Sequence, residues 1–214
     1  MIAPITIRYP FRPKRRSLAV ADVADLFGLG GTEPDHVVAE NLQLDLRPGD
    51  LALFVGPSGS GKSSIMRAAA AQLETIDAAK LALPEVPLVD ALPGRVDDRL
   101  ATLSACGLGE ARLMLRTPAE LSDGQRDRFR IAYALSKCTE GSFVVLDEFT
   151  AALDRTLAKV VAFNVRKLVT RSGVGLLAAT THEDIVDDLQ PDLLVRCGGD
   201  GAIEQSRWGV KKKG

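Results

Sequence analysis

The stretch GPSGSGKSS, from Gly56 to Ser64, most constrains what this chain can fold into. It matches the pattern GxxxxGK[ST], whose fixed positions are Gly56, Gly61, Lys62 and Ser63. The apolar run LALFV precedes it, as expected of a buried strand, and the helical sequence SSIMRAAAAQLETI follows. Glycines let successive backbone N–H groups wrap around an anion, and the start of a helix adds positive potential. The sequence therefore predicts a strand, a phosphate-binding loop and a helix, and the lysine and this context disfavour a chance Gly/Ser turn.

Each polar residue of this loop has a predicted task. Lys62 can reach the outer phosphates of a nucleotide, and the hydroxyl of Ser63 can ligate Mg²⁺. The remaining residues expected to contact the nucleotide are Pro57, Ser58, Gly59, Ser60 and Ser64.

A second strand-like stretch, FVVLDE, ends in two acids. Four apolar residues predict a buried strand, and open α/β sheets place their sites at the carboxyl ends of such strands. We expect Asp147 to hold Mg²⁺ and Glu148 to polarise a water for attack on the γ-phosphate. The alternative is that two exposed acids merely end a strand.

Strand-like and helical segments alternate along the chain, which predicts a largely parallel sheet covered on both faces. Besides the strands above, GLLAATTH predicts a buried strand and DLLVRC and AIEQS predict late strands. HVVAENLQLDL alternates apolar and polar residues through Leu42, Leu44 and Leu46, which predicts a half-buried strand. VPLV, residues 86–89, is interpreted as a brief strand.

The remaining periodic segments predict helices. SLAVADVADLFGLGG has a polar start, helical apolar spacing and a glycine stop, and SSIMRAAAAQLETI is predicted to be helical throughout. PGRVDDRLATLSACGLGEARLML predicts one or two short helices, and QRDRFRIAYALSKC predicts one longer helix. RTLAKVVAFNVRKLVTRSG predicts an amphipathic helix closed by Gly173.

Composition indicates a globular protein. The 214 residues are 46% hydrophobic and 26% charged, which argues against disorder, and a net charge of −1 excludes a general basic field for nucleic acid. The basic runs at residues 12–17 and 211–213 are interpreted as solvated segments. Three separated cysteines without a CxxC pattern suggest free thiols in a reducing compartment. With no apolar stretch near the roughly 20 residues of a membrane span and no signal-peptide pattern, we expect a cytoplasmic location.

Two further features carry polar groups suited to a nucleotide. In LSDGQRDRFR, residues 121–130, a serine and a glycine stand where a helix begins, and such a helix start binds anions. His182 closes the predicted strand GLLAATTH and is one of two histidines in the chain. A lone histidine is more often structural, but the position of this one at a strand's carboxyl end fits the pattern formed by the other motifs, whereas His36 has no such context.

The order GPSGSGKSS, LSDGQ, FVVLDE, AALD, TTHED resembles that of an ATP-binding-cassette (ABC) ATPase, over residues 37–201. The resemblance implies a P-loop NTPase (RecA-like) α/β core with a mainly parallel sheet, a small antiparallel β region and a helical subdomain. It also implies ATP and Mg²⁺ as cofactors and a second chain as partner, packed head to tail. Residues expected to reach the partner's nucleotide are Ser122, Gly124 and Gln125, with Asp154 communicating across the dimer and His182 contacting the γ-phosphate.

Three departures from the family pattern stand out. Asp123 replaces the usual glycine of the signature, and we expect it to face solvent or the arginines that follow it. Lys62 and Ser122 are 60 positions apart, fewer than in transporter cassettes, whose interval holds the subdomain that docks on membrane helices. The usual Q-loop glutamine is missing, with Asp90 as the nearest positional substitute. The aromatic residue that would stack on adenine is left open among Tyr9, Phe11 and Phe27.

These departures favour a soluble ABC ATPase outside transport, and the chain resembles a group sometimes fused to an acetyltransferase-like domain. Such a protein would act on a cytoplasmic assembly, with nucleic acid or nucleoprotein as a partner to test. The alternatives are the nucleotide-binding subunit of an ABC transporter, which would need a membrane permease, and an ATP-regulated binding module with little hydrolysis. The expected organisation is an N-terminal segment with a short helix (1–36), an ATPase domain (37–205) whose shortened helical and signature region spans 84–125, and a basic tail (206–214).

Overall fold

A computed structural model of the chain describes residues 2–10, 17–29, 35–199 and 201–207. Phe11, nearly all of the two basic runs and most of the predicted tail lie outside the described residues. Within the described part, no helix is long and apolar enough to cross a membrane.

The centre of the fold is a six-stranded sheet with the strand order β4-β5-β6-β3-β7-β8. Its strands are β3 (Leu51–Val55), β4 (Thr75–Asp77), β5 (Phe143–Leu146), β6 (Gly175–Thr180), β7 (Leu193–Cys197) and β8 (Ile203–Arg207). All neighbours pair in parallel except β7 and β8, which pair antiparallel at one edge. The predicted mainly parallel sheet is confirmed.

A small antiparallel sheet lies beside it, made of β1 (Ile5–Tyr9) and β2 (His36–Leu42). Tyr9 and His36 are paired at its end. The strand predicted through Leu44 and Leu46 is shorter than expected, since it ends at Leu42. Both leucines are nevertheless buried, so the alternation of apolar residues indicated burial rather than pairing.

Eight α-helices lie within the described residues: α1 (Leu18–Leu26), α2 (Lys62–Ala70), α3 (Leu88–Ala91), α4 (Val96–Ala105), α5 (Ala111–Met114), α6 (Asp123–Lys137), α7 (Arg155–Ser172) and α8 (Val186–Leu189). The helices predicted at the positions of α1, α4, α5, α6 and α7 are confirmed. Gly173 ends α7 with φ 67°, a left-handed conformation that glycine adopts freely.

Two predictions of secondary structure are wrong. The helix expected over SSIMRAAAAQLETI stops at Ala70, and Thr75–Asp77 forms β4. The β-branched pair Thr75 and Ile76 finds a strand partner in β5, a tertiary contact that helical propensity does not register. The expected strand VPLV is also absent, because Leu88–Ala91 forms helix α3 after Pro87, with Leu88 fully buried. A four-residue apolar run cannot by its periodicity separate a strand from a helical turn.

The central strand β3 divides the core into two halves. Leu51, Leu53 and Val55 point to the face covered by α4, α6 and α7, and Ala52 and Phe54 point to the face covered by α2 and the small sheet. Every residue of β3 is inaccessible to solvent. This burial fixes the strand, and the loop at its carboxyl end emerges where the ends of β5 and β6 also lie.

Candidate functional site

The predicted phosphate loop connects β3 to α2 and depends on its glycines. Gly56, Gly59 and Gly61 have φ of 144°, 81° and 86°. A Cβ at Gly56 would lie 2.1 Å from the carbonyl oxygen of Cys197, and one at Gly61 would lie 2.2 Å from Val38 Cγ1. Only glycine fits at Gly56 and Gly61, so packing as well as backbone conformation shapes the loop.

The side chain of Lys62 is held within this loop. Lys62 is buried, and its Nζ donates a hydrogen bond of 2.6 Å to the carbonyl oxygen of Pro57. The ammonium group therefore lies over the loop, where a bound phosphate would meet it.

Ser63 and Asp147 are brought together from two elements, as predicted. Ser63 Oγ, on α2, donates a hydrogen bond of 2.7 Å to Asp147 Oδ1 at the end of β5. Arg67 Nη2 donates to the other carboxylate oxygen at 2.7 Å. A hydroxyl beside a carboxylate suits Mg²⁺, which takes one or two protein oxygens together with water and substrate phosphates. The described residues contain no group of three or more His, Cys, Asp or Glu side chains that could hold a metal ion.

Glu148 follows Asp147 in an uncommon backbone conformation. Its φ is 56°, and its backbone N–H donates to Asp147 Oδ1 at 3.1 Å. A left-handed conformation costs a non-glycine residue roughly 1–2 kcal/mol, and such residues concentrate at functional sites. Thr150, nearby in the same loop, also has a positive φ of 66°.

A cavity of about 490 Å³ joins these parts. It is lined by residues of the phosphate loop and α2, by Asp147 and Glu148, by Thr180 and Thr181, and by Tyr9 and His36 of the small sheet. A second cavity of about 270 Å³ lies on the other side of Glu148, against α6. Glu148 thus stands between the phosphate loop and the helix that follows the signature.

Tyr9 is the described aromatic candidate that lines the larger cavity. It is half exposed, and its hydroxyl lies 2.9 Å from Ser64 Oγ. Phe27 is exposed and lines neither cavity. Sequence reasoning gave no role to His36, which also lines the cavity, or to Thr180 and Thr181. The pairing of Tyr9 with His36 across the small sheet could have pointed to His36, but no local motif marks it.

His182 lies just beyond the cavity. It follows Thr181, precedes the 3₁₀ turn Glu183–Ile185, and is not among the lining residues. Its backbone N–H donates to Thr180 Oγ1 at 3.1 Å. Burial, and to a lesser degree the positive charge of Arg155, lowers the pKa of the His182 imidazole. Both causes favour the neutral form of the ring, whose Nδ1 is buried without a hydrogen-bond partner in the described structure.

The signature residues form the start of α6. Ser122 Oγ accepts from the backbone N–H of Gln125 at 3.4 Å, and Gln125 Oε1 accepts from the backbone N–H of Ser122 at 3.0 Å. This capping box fixes the helix start. Asp123 is 97% exposed and accepts from Arg126 at 3.1 Å, which confirms that it faces solvent and a following arginine.

Some predicted site residues lie away from the cavities of their own chain. Ser122, Gly124 and Gln125 line neither cavity, and neither does Asp154, whose carboxylate accepts from Leu157 N–H at 2.9 Å and caps α7. Asp90 is exposed in α3 and also lines neither cavity. A site within one chain therefore contains the phosphate loop and the acids without the signature.

Comparison with known proteins decides the family. The lipoprotein-releasing system ATP-binding protein LolD of Novosphingobium aromaticivorans is 30% identical over 209 residues, covering 79% of this chain and 91% of that protein. The chain belongs to the ABC ATPases. This ABC ATPase is also 29% identical to the aliphatic sulfonates import ATP-binding protein SsuB 3 of Paraburkholderia xenovorans, over 92% of its own length and 83% of that protein. No protein-family model matches it.

Solved structures agree on the fold of this ABC ATPase. The post-hydrolysis dimer of the ATP-binding cassette MJ0796 bound to ADP and Pi matches with a TM-score of 0.64 at 16% identity, covering 97% of this chain and 98% of that one. CbiO1 from Clostridium perfringens matches with a TM-score of 0.58 at 17% identity, over 80% of this chain and 82% of that one. The P-loop NTPase fold is confirmed, and the protein is an ATPase whose cofactors are ATP and Mg²⁺.

Proposed function

We propose that this ABC ATPase hydrolyses ATP in composite sites formed by two copies packed head to tail. The observation that carries the proposal is the separation of the signature from the cavity of its own chain. Ser122 caps α6 and is exposed at a helix start that can bind an anion, yet it lies outside the cavity that holds Lys62, Ser63 and Glu148. A second chain, turned by a two-fold axis, supplies the missing serine to each site.

Within each composite site the residues have distinct tasks. The loop amides and Lys62 bind the phosphates, and Ser63 and Asp147 provide the protein oxygens for Mg²⁺, which neutralises charge on the β- and γ-phosphates when bound. Glu148 accepts a proton from the attacking water. His182, whose neutral form is favoured by burial, donates a hydrogen bond to the γ-phosphate through its ring N–H. We assign Asp154, which caps α7 by accepting from Leu157 N–H, to the contact between the two chains.

Tyr9 is our proposal for the adenine platform. Its ring lines the cavity, half of its surface is open to a ligand, and its hydroxyl is held by Ser64 beside the phosphate loop. An aromatic ring in this position offers its face to a base.

The work driven by hydrolysis is the second part of the proposal. We infer a role outside transport, as in the group that is sometimes fused to an acetyltransferase-like domain. Support comes from the interval of 60 positions between Lys62 and Ser122, in which the three short α-helices α3, α4 and α5 lie between β4 and the signature. The proposed organisation of the chain is a segment 1–36, an ATPase domain 37–205 and a tail 206–214, with 84–125 as the helical and signature region. Strand β1 of the first segment pairs with β2 in the small sheet.

A specific observation favours a second candidate role. The similar proteins LolD and SsuB are named as ATP-binding proteins of a releasing and an import system. The chain would then serve a membrane permease. Affinity purification from detergent-solubilised cells separates the two roles: stoichiometric recovery of a permease supports transport, whereas its absence together with ATPase stimulation by nucleic acid supports the first role.

The composite site itself is tested by mixing two inactive variants. Lys62→Ala disables the phosphate loop, and Ser122→Arg blocks the signature. In a mixed dimer one site carries both defects and the other carries neither. Mixing equal amounts should restore roughly a quarter of the wild-type ATPase rate, since half of randomly formed dimers are mixed and each has one intact site. Mixtures as inactive as either variant alone would show that each chain works by itself and would contradict the proposal.

A further inference from the structure

Arg67 contacts the carboxylate that is assigned to Mg²⁺, yet the proposed chemistry gives it no task. It lies in the last turn of α2, and its Nη2 donates a hydrogen bond of 2.7 Å to Asp147 Oδ2. The Arg67 side chain is 66% exposed, whereas that of Asp147 is only 22% exposed. In an ordinary surface ion pair both partners move freely in water. Here an arginine reaches inward to a mostly buried acid of the nucleotide site.

The other oxygen of the same carboxylate is held from the opposite end of α2. Asp147 Oδ1 accepts from Ser63 Oγ at 2.7 Å and from the backbone N–H of Glu148 at 3.1 Å. Ser63 stands in the first turn of α2, four positions before Arg67. Residues four apart in a helix are neighbours on one face. One face of α2 therefore holds both carboxylate oxygens, Ser63 one of them and Arg67 the other.

Holding both oxygens fixes the plane of the Asp147 carboxylate. The last torsion of an aspartate side chain is broad, so a carboxylate bonded through one oxygen alone can still turn about its axis. The bond from Arg67 is charge-assisted, and bonds of this kind are the stronger ones in proteins. Mg²⁺ demands nearly ideal octahedral geometry, so the orientation of its protein ligands affects how tightly it binds. Arg67 thus controls a property of Asp147 that matters to the metal.

The charge of Arg67 acts in the opposite direction, because a guanidinium repels a nearby cation. Its side chain is largely exposed, so water and dissolved ions screen that repulsion. The orienting effect is transmitted by direct contact and is not screened in this way. Groups that orient a metal ligand typically change the affinity for the metal by roughly 10- to 100-fold. We therefore expect orientation to outweigh repulsion.

We propose that Arg67 is a positioning residue for ATP hydrolysis, which together with Ser63 fixes the carboxylate of Asp147 in the orientation that Mg²⁺ requires. Arg67 is not among the residues that line the larger cavity, so it acts on the metal through Asp147 rather than on the nucleotide. The inference rests on the proposed assignment of Ser63 and Asp147 to Mg²⁺. It follows that Arg67 strengthens nucleotide binding only when the metal is present.

Isothermal titration with the β,γ-imido analogue of ATP measures this contribution, because the analogue is not hydrolysed. Each protein is titrated once with Mg²⁺ and once with EDTA, and the ratio of the two affinities gives the effect of the metal. In Arg67→Met, which removes the charge and the N–H donors, the ratio should fall about tenfold or more. Its affinity in EDTA should equal that of the wild type. Arg67→Lys keeps a charged donor and should recover part of the ratio.

Arg171→Met is the matched control. Arg171 lies in the last turn of α7, has a side chain that is 79% exposed, and pairs with Asp98 at 3.8 Å. It repeats the setting of Arg67 at a place that does not line the nucleotide cavity, so the ratio should be that of the wild type. Circular dichroism checks that each variant is folded.

The possible results separate this inference from the proposed metal site. A metal effect that Asp147→Asn loses and Arg67→Met keeps would show that Arg67 forms only a surface ion pair. An equal loss of affinity with Mg²⁺ and with EDTA also overturns the inference, because Arg67 would then contact the nucleotide itself. A larger metal effect in Arg67→Met would show that repulsion outweighs orientation. Wild-type protein with the same affinity in Mg²⁺ and EDTA would overturn the metal assignment together with the role of Arg67.

Discussion

The hydroxyl of Ser63 lies 2.7 Å from Asp147 Oδ1 and donates a hydrogen bond to it, although the two residues are 84 positions apart in the sequence. The contact ties the first turn of α2 to the end of β5, which is separated from β3 in the sheet by β6. The parallel register of these strands places their carboxyl ends at one edge. The sheet therefore brings together Ser63 Oγ and Asp147 Oδ1, the two protein oxygens that could both ligate Mg²⁺.

Asp147→Asn tests this pair. The amide oxygen can still accept from Ser63, so the fold should persist, but the loss of negative charge weakens Mg²⁺ binding and should lower the ATPase rate about 100-fold or more. The ATPase rate of the variant and of the wild type, measured over a range of Mg²⁺ concentrations, tests this expectation. The control is Asp98→Asn, an exposed carboxylate on α4, which should behave as wild type. An unaltered Mg²⁺ dependence in Asp147→Asn contradicts the assignment.

Lys62→Ala should abolish measurable nucleotide binding, because a buried ammonium group and its charge-assisted bonds to phosphate disappear together. Isothermal titration with ATP and Mg²⁺ measures the affinity. Lys80→Ala removes a lysine whose side chain is 81% exposed and should bind ATP as wild type does. Unchanged affinity in Lys62→Ala would mean that the loop does not hold the phosphates.

Two loop glycines should respond differently to alanine. At Gly59 a Cβ meets open space, so the variant bears only the strain of a positive φ, roughly 1–2 kcal/mol of unfolding free energy. At Gly56 the Cβ would also collide with the backbone oxygen of Cys197, and we expect a loss of about 3 kcal/mol or more. Urea unfolding of both variants measures the difference. Equal losses would show that Gly56 is needed for its conformation alone.

The pKa of His182 should lie below the ordinary histidine value. The pKa of His182 is lowered in the folded state, so the unfolded state binds a proton more readily. The free energy of unfolding therefore falls as the pH drops from the ordinary histidine pKa to the lower pKa of the folded state. NMR titration of the imidazole, assigned with His182→Gln, measures the pKa. Arg155→Met should raise it part of the way, since burial, the larger cause, remains. A pKa at or above the ordinary value contradicts this description of the site.

Much of the site could be predicted because its parts are local. The phosphate loop, the acidic strand end and the capped start of α6 each depend on neighbouring residues, whose spacing is visible in the sequence. Asp123 could be assigned to solvent from charge alone, since Arg126 follows it by three positions. Features set by tertiary contacts could not be predicted: β4 is a strand because β5 lies beside it, and His36 lines the cavity because it pairs with Tyr9. The sequence also could not predict that α1 is exposed, because the spacing of its apolar residues is that of a helix packed on a core.

Glu148 is proposed to drive hydrolysis in a site completed by a second chain, and the variant Glu148→Gln examines both parts of this proposal. The amide keeps the size of the side chain but cannot accept the proton from water. With ATP and Mg²⁺, sedimentation should show a stable dimer, and single-turnover assays should show hydrolysis slowed about 100-fold or more. A Glu148→Gln protein that turns over ATP at the wild-type rate would show that Glu148 is not the base, and one that binds ATP and remains a monomer would show that the site is not shared between two chains.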